Sequence, residues 1–304
     1  MPRKKNLRNG RRFIMIADDV KWLHVEASSR CNAWCPLCPR NIDGYELHPN
    51  TVEQDLDISI LKKTVDSLPN LYAIQFCGNH GDPIAAKDFI NMIDIVKSRV
   101  KKIQIHTNGS LRNAEWWKLL ASKLEGVEHD VWFGIDGLDN VHEIYRQGTD
   151  WNKIITNAKA FIDSGGYATW QFIPFEHNEH QIKDCLRLSQ QLKFKKFKLI
   201  KSTRTPSATV KNYKTGNLYL ISSPIKINNV ASAITGQKKI VNQKDCMHLN
   251  QPSIYLDVEG SYSYCCYYMS NNNIKNKLKF DSMNDLFYNN VNLSNRLCIN
   301  CCGT

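Results

Sequence analysis

With 304 residues, 42% of them hydrophobic, the chain is long enough for one large buried core and a small appendage. No apolar run approaches a membrane span, and Phe13 to Ala17 is too short for the apolar region of a secretory signal, so the sequence reads as cytoplasmic. The net charge of +11 includes a basic arm over residues 1–19 (Arg3, Lys4, Lys5, Arg8, Arg11 and Arg12); no aromatic side chains interleave there to stack on bases, so a solvated arm is expected rather than a nucleic-acid contact.

From residue 20 to 201, short β-rich runs alternate with segments of helical period, the pattern of βα units around a parallel sheet. Strands are predicted over 21–26, 73–77, 102–107, 131–135, 168–173 and 197–201, with helices over 58–67, 87–98, 114–124, 151–164 and 179–192. Six such units predict an α/β fold, a partial (β/α)6 barrel of TIM type, in which the loops after the strands carry the chemistry. Residues 202–245 are rich in Thr, Ser, Asn and Lys, with Pro206, Gly216, Pro224 and Gly236 as punctuation, and read as a linker or crossover. Residues 246–304 read as a small second domain. There the alternation Ser253 to Asp257, a turn at Val258-Glu259-Gly260 and the run to Cys266 predict a β-hairpin, and a short helix is expected over 282–289.

Eleven cysteines are many for a reducing compartment, where metal or redox chemistry accounts for them better than disulfides. Cys31, Cys35 and Cys38 follow the first predicted strand, and six more fall between 246 and 302. In Cys31-Asn-Ala-Trp-Cys35-Pro-Leu-Cys38 a single loop presents three thiolates, which leaves one iron of a four-iron cluster open. Structural zinc asks for four closed ligands, and the nearest further cysteine, Cys77, belongs to a different strand. By residue type alone, Gly81-Asp82-Pro83 is also an ordinary turn.

The CxxxCxxC loop and the strand order around it resemble the radical S-adenosylmethionine (SAM) superfamily over residues 20–200. The resemblance implies a [4Fe-4S] cluster whose open iron binds the amino and carboxylate groups of SAM. It further implies reductive cleavage to methionine and a 5′-deoxyadenosyl radical that abstracts hydrogen from a substrate. Cys77 to Pro83 is similar to the family's Gly-Gly-Glu-Pro segment, with Asp82 where Glu is usual. Thr107-Asn108-Gly109 and Gly134-Ile135-Asp136-Gly137 resemble further loops of the family, Gly134 standing where serine is usual, and Arg146 matches an arginine near the SAM carboxylate. The resemblance thus assigns Leu37, Gly81, Asp82, Asn108, Asp136 and Arg146 to SAM, and implies an electron donor such as flavodoxin or ferredoxin. The family's Gly-x-Ile-x-Gly-x-x-Glu motif is not recognisable around Phe172 to Glu179, so Ile173 is expected in the core.

Cys246, Gly260 to Cys265, and Cys298-Ile-Asn-Cys301 are similar to the twitch and SPASM extensions of that superfamily, and in the shorter twitch form imply one auxiliary [4Fe-4S] cluster on Cys246, Cys265, Cys298 and Cys301. Cys266 and Cys302 adjoin two of these, which leaves the choice within each pair open, and by count alone the set suits a zinc ribbon equally. Two substrate classes follow from the resemblance. One is a small sugar, cyclitol or nucleotide, which the basic excess would suit; the other is a peptide or protein side chain.

Overall fold

The computed structural model describes residues 15–200, 202, 207–225, 252–263 and 280–288. Six strands form the expected series: β1 (Trp22–Val25), β4 (Ala73–Phe76), β5 (Lys102–Thr107), β6 (Glu128–Gly134), β7 (Ala168–Phe172) and β8 (Lys196–Leu199). Between β1 and β4 lie a small hairpin, β2 (Asn41–Ile42) and β3 (Glu46–Leu47), and helix α1 (Ile58–Asp66). The later strands are separated by α2 (Phe89–Lys97), α3 (Ala114–Lys123), α4 (Asp139–Tyr145), α5 (Trp151–Asp163) and α6 (Ile182–Gln191). Side-chain caps fix several helix starts, as where Asn113 accepts from Trp116 N at 3.0 Å and Asp150 from Lys153 N at 3.0 Å.

These strands pair in parallel, in chain order, within one eight-stranded sheet. Every second residue (Leu23 and Val25, Ile74 and Phe76, Ile103 and Ile105, Val131 and Phe133) enters the hydrophobic core under the helices. By the period of two, the residues between them face the inner side of the sheet: His24, Gln75, His106, Trp132, Gln171 and Lys198. That inner side is therefore polar.

The two remaining strands come from the segment expected to form a separate domain. Ser253–Leu256, here β11, lies parallel to β1 with Trp22 opposite Ser253, and Tyr262–Ser263, here β12, turns back antiparallel on it. The expected hairpin is present, but it extends the barrel sheet. Burial of Ser253 to Leu256 on both faces is what a strand inside a parallel sheet requires. Met283–Tyr288, α7, matches the short helix expected there.

The expected linker also contains structure. Residues Ser207–Lys211 (β9) and Leu218–Ser222 (β10) form an antiparallel hairpin, because Val210 and Ile221 have an apolar surface to cover. That surface is the cysteine loop, where they pack with Ala33, Cys35, Tyr145 and Phe175.

Candidate functional site

The loop carrying Cys31, Cys35 and Cys38 is held from three directions. Ahead of it, Ser28 Oγ donates to Asp55 Oδ1 at 2.7 Å and Arg30 pairs with the same oxygen at 2.5 Å. Buried Arg40 donates Nε to Ser29 O at 3.0 Å and pairs with Glu53. On the opposite side, Trp34 N donates to Gln147 O at 2.7 Å and Asn32 Nδ2 to Gly148 O at 3.3 Å. Gln147 also joins the loop to the β9–β10 hairpin, accepting from Tyr213 N at 2.8 Å and donating to Tyr219 Oη at 2.6 Å. Gly81 closes the third side: a Cβ there would lie 2.1 Å from Ser28 O, so only glycine lets these two loops meet.

The three thiols share the wall of a cavity of about 310 Å³ with Gly81, Asp82, Asn108 and Arg146. Cys31 Sγ accepts from Ala33 N at 3.3 Å and Asn108 Nδ2 at 3.4 Å. Burial, and then the negative charges of Asp82, Cys35 and Cys38, push the Cys31 thiol well above its ordinary range. Such a thiol ionises when a cation arrives to offset those charges. Among the described residues, no group of three His, Cys, Asp or Glu side chains is placed to hold a single metal ion. Thiolates on a four-iron cluster bind different irons, and three thiols from one loop on one cavity wall are a donor set suited to such a group. Asn79 Nδ2, on the same cavity wall, is buried with no hydrogen-bond partner among the described residues, as expected of a donor reserved for a ligand.

Asp82 is buried, and its carboxylate accepts from Asn108 N at 2.7 Å, Thr107 Oγ1 at 3.0 Å and Ile84 N at 3.2 Å. It therefore fixes the turn after β5 as well as facing the cavity. Burial outweighs these bonds and raises its pKa to about 6. Asp136 is fully buried beneath the rim, accepting from Arg146 Nε at 2.6 Å and Ile173 N at 2.6 Å. Burial works against the Arg146 charge, but Asp136 more than restores it, and the guanidinium keeps its proton. A Cβ on Gly134 would come within 2.8 Å of Arg146 Nη2, so the missing serine leaves room for this guanidinium. Underneath, His142 Nδ1 accepts from Asp136 N at 3.0 Å while Nε2 meets Thr149 Oγ1 at 3.1 Å, an arrangement for the neutral ring.

No protein-family model matches the sequence. Over 132 residues the chain is 33% identical to the tungsten-containing aldehyde ferredoxin oxidoreductase cofactor-modifying protein of Pyrococcus furiosus, covering 42% of this chain and 34% of that one. The match thus spans about a third of that relative's length. Among solved structures, anSMEcpe with bound AdoMet superposes with a TM-score of 0.59 at 16% identity, covering 91% of this chain and 78% of that chain. Streptococcus suis SuiB bound to S-adenosylmethionine gives 0.59 at 14% identity, over 86% and 63%. The same protein bound to precursor peptide SuiA gives 0.57 at 13%, over 84% and 61%. The chain has the fold of these AdoMet-bound proteins.

Within this fold, the cavity gathers Cys31, Cys35, Cys38, Gly81, Asp82, Asn108 and Arg146 on its wall. Two assigned residues lie elsewhere: Asp136 sits behind Arg146, and Leu37 packs at the margin of the small apolar cluster under the cysteine loop. Ile173, expected in the core, reaches the cavity wall half-buried. Cys246, Cys265, Cys298 and Cys301 lie outside the described residues, as do Cys266, Cys302 and the basic arm as far as Ile14. The cavity wall also holds His80, His106 and Gln171, which sequence reasoning did not single out. His80 is fixed by buried Glu26, which accepts from His80 N at 2.6 Å and faces its Nδ1 at 3.3 Å. Burial works to raise the Glu26 pKa, yet the His80 contacts hold it below its ordinary value.

Proposed function

We propose that this chain is a radical SAM enzyme that oxidises an anionic small molecule such as a sugar, cyclitol or nucleotide derivative. One observation carries the reading: three thiols of a CxxxCxxC loop share a cavity wall with Asp82, Asn108 and Arg146, on a fold whose solved relatives hold AdoMet. A [4Fe-4S] cluster on Cys31, Cys35 and Cys38 would supply the open iron and the electron that cleave SAM to methionine and a 5′-deoxyadenosyl radical. Asn108 and the backbone of Ala33 direct hydrogen bonds at Cys31 and thereby orient the cluster loop. Asp82 offers a carboxylate to an ammonium group. Arg146, aligned by Asp136, presents a guanidinium to a carboxylate. Burial of this wall keeps water from a radical.

The auxiliary cluster on Cys246, Cys265, Cys298 and Cys301 belongs to the same proposal, as an electron acceptor for an oxidised product, with flavodoxin or ferredoxin as donor to the first cluster. A second reading, modification of a peptide side chain, is favoured by the solved structure of SuiB with its precursor peptide. The name of the curated relative instead points to a cofactor as the thing modified.

The test is anaerobic reduction with dithionite in the presence of SAM. The expected result is release of 5′-deoxyadenosine by the protein and none by the triple Cys31→Ala, Cys35→Ala, Cys38→Ala variant. Iron should fall in that variant from about eight to about four per chain, as two four-iron clusters require. Undiminished 5′-deoxyadenosine from the variant would refute the reading.

A further inference from the structure

The cavity meets the barrel lumen at His106 and Gln171, which belong to both, while His24, Gln75, Trp132 and Lys198 are not on its wall. A closed core of apolar side chains would be the ordinary filling for such a barrel. Here His24, Gln75, His106, Trp132, Gln171 and Lys198 point inward instead, one from each of six strands. Four of them, Gln75, His106, Trp132 and Lys198, are in contact with one another. The His106 ring stacks on Trp132 with centroids 4.6 Å apart, Lys198 Nζ stands 4.3 Å from the Trp132 ring centroid, and Gln75 Nε2 lies 3.5 Å from His106 Nε2.

Two nitrogens in this cluster lack partners. His24 is 7% exposed, lies edge-on to Tyr255 at 4.9 Å, and its Nε2 is buried without a hydrogen bond among the described residues; the same holds for Trp132 Nε1. Buried polar atoms are ordinarily satisfied, and two orphans in one lumen imply a missing ligand. Trp132 Nε1 and Lys198 Nζ can only donate, and His24 Nε2 donates in one of its tautomers, so the ligand must accept.

Charge narrows the ligand further. Among the described residues Lys198 has no carboxylate within ion-pair distance, and Asp130, the carboxylate nearest in influence, is engaged by Thr169 Oγ1 at 2.7 Å and Lys196 at 3.6 Å. Burial, with His24 and Lys198 adding to it, lowers the His106 pKa to about 3, so the ring stays neutral. An anion beside Lys198 would offset its charge.

We propose that the lumen seats the anionic group of the substrate, a phosphate or a carboxylate, against Lys198, Trp132 and His24, with Gln75 and Gln171 beside it. This rests on the reading that the rim holds SAM, and places the rest of the substrate between lumen and rim. A neutral sugar or a purely apolar side chain would leave half-buried Lys198 without a counter-charge among the described residues.

Isothermal titration at low ionic strength tests this on the cluster-loaded protein without SAM, with inorganic phosphate and with propionate as separate probes. Saturable binding of either is expected, weakened about tenfold or more in Lys198→Met and retained in Lys198→Arg, as loss of one charge-assisted contact requires. Trp132→Phe keeps the stacked ring and removes one donor. It should weaken the same binding by about threefold or more, and it serves if Lys198→Met misfolds. Binding of neither probe, or binding unchanged in both variants, would overturn the proposal. 5′-Deoxyadenosine release is scored separately on unaltered protein, so a failure there strikes the cofactor reading and leaves the lumen result standing.

Discussion

The rim of the barrel and its lumen are both polar, yet they are built on different terms. At the rim the groups that fix the loops are paired within the chain, with Asn79 Nδ2 left open: Asp82 takes three hydrogen bonds, Asp136 takes Arg146 and Ile173 N, and His142 uses both nitrogens. In the lumen His24 Nε2 and Trp132 Nε1 have none among the described residues. A satisfied network holds its members in place, and an unsatisfied one costs stability until something binds. The rim is thus organised to position groups and the lumen to receive one.

Substitutions should separate the two regions by sign. The largest effect is expected from Asp136→Asn, which leaves the Arg146 guanidinium buried without its carboxylate; loss of about 3–5 kcal/mol of stability should be read from guanidinium chloride unfolding. A loss under about 1 kcal/mol would mean that water reaches Arg146 and that the rim is not closed. In the lumen the sign reverses. His24→Phe keeps a ring against Tyr255 and removes the orphaned Nε2, so the empty protein should gain about 1–3 kcal/mol while losing affinity for the anion. Destabilisation by that change would dissolve the contrast.

The third effect is a slope, small over any one pH unit. Burial, with Arg146 close by, lowers the His142 pKa from 6.5 to about 3. Below about pH 6.5 the unfolded chain takes up a proton that the folded ring refuses, so stability is full above that pH and declines toward pH 3 by at most about 1.4 kcal/mol per unit. His142→Asn, whose Oδ1 can still accept from Asp136 N, should remove that share of the slope. An unchanged slope relative to the unaltered protein would indicate that His142 is protonated in the fold.

Much of the frame was legible because parallel strands covered by helices leave a simple record: β-rich runs of four to seven residues between amphipathic segments. The cysteine loop was legible from spacing alone. Residues 207–222 were not. Their Thr, Ser, Asn and Lys content reads as linker, and only Val210 and Ile221 are deeply buried, because the hairpin covers a single small patch instead of building a core. The segment 253–256 alternates like a half-exposed hairpin strand, yet all four residues are buried. The same signal could have found the lumen. Polar residues at every second place in otherwise apolar parallel strands, as in His24, Gln75 and His106, mark an inner face that is not core. No local pattern pairs Asp136 with Arg146 or ties Gln147 to the hairpin, since those contacts depend on how the chain returns on itself.

The pairing of β11 with β1 also governs how this protein is assembled. The strand from which the cysteine loop springs has β4 on one side soon after synthesis, but its other side stays bare until Ser253 to Leu256 arrive. Until then the nascent sheet presents β1 as an open edge, ready to recruit a neighbouring chain. Late pairing of distant segments is slow, which lengthens that exposure. A chain shortened before Ser253 would keep the edge permanently, so translation that stalls there yields a sticky half-barrel with its thiols at the open seam.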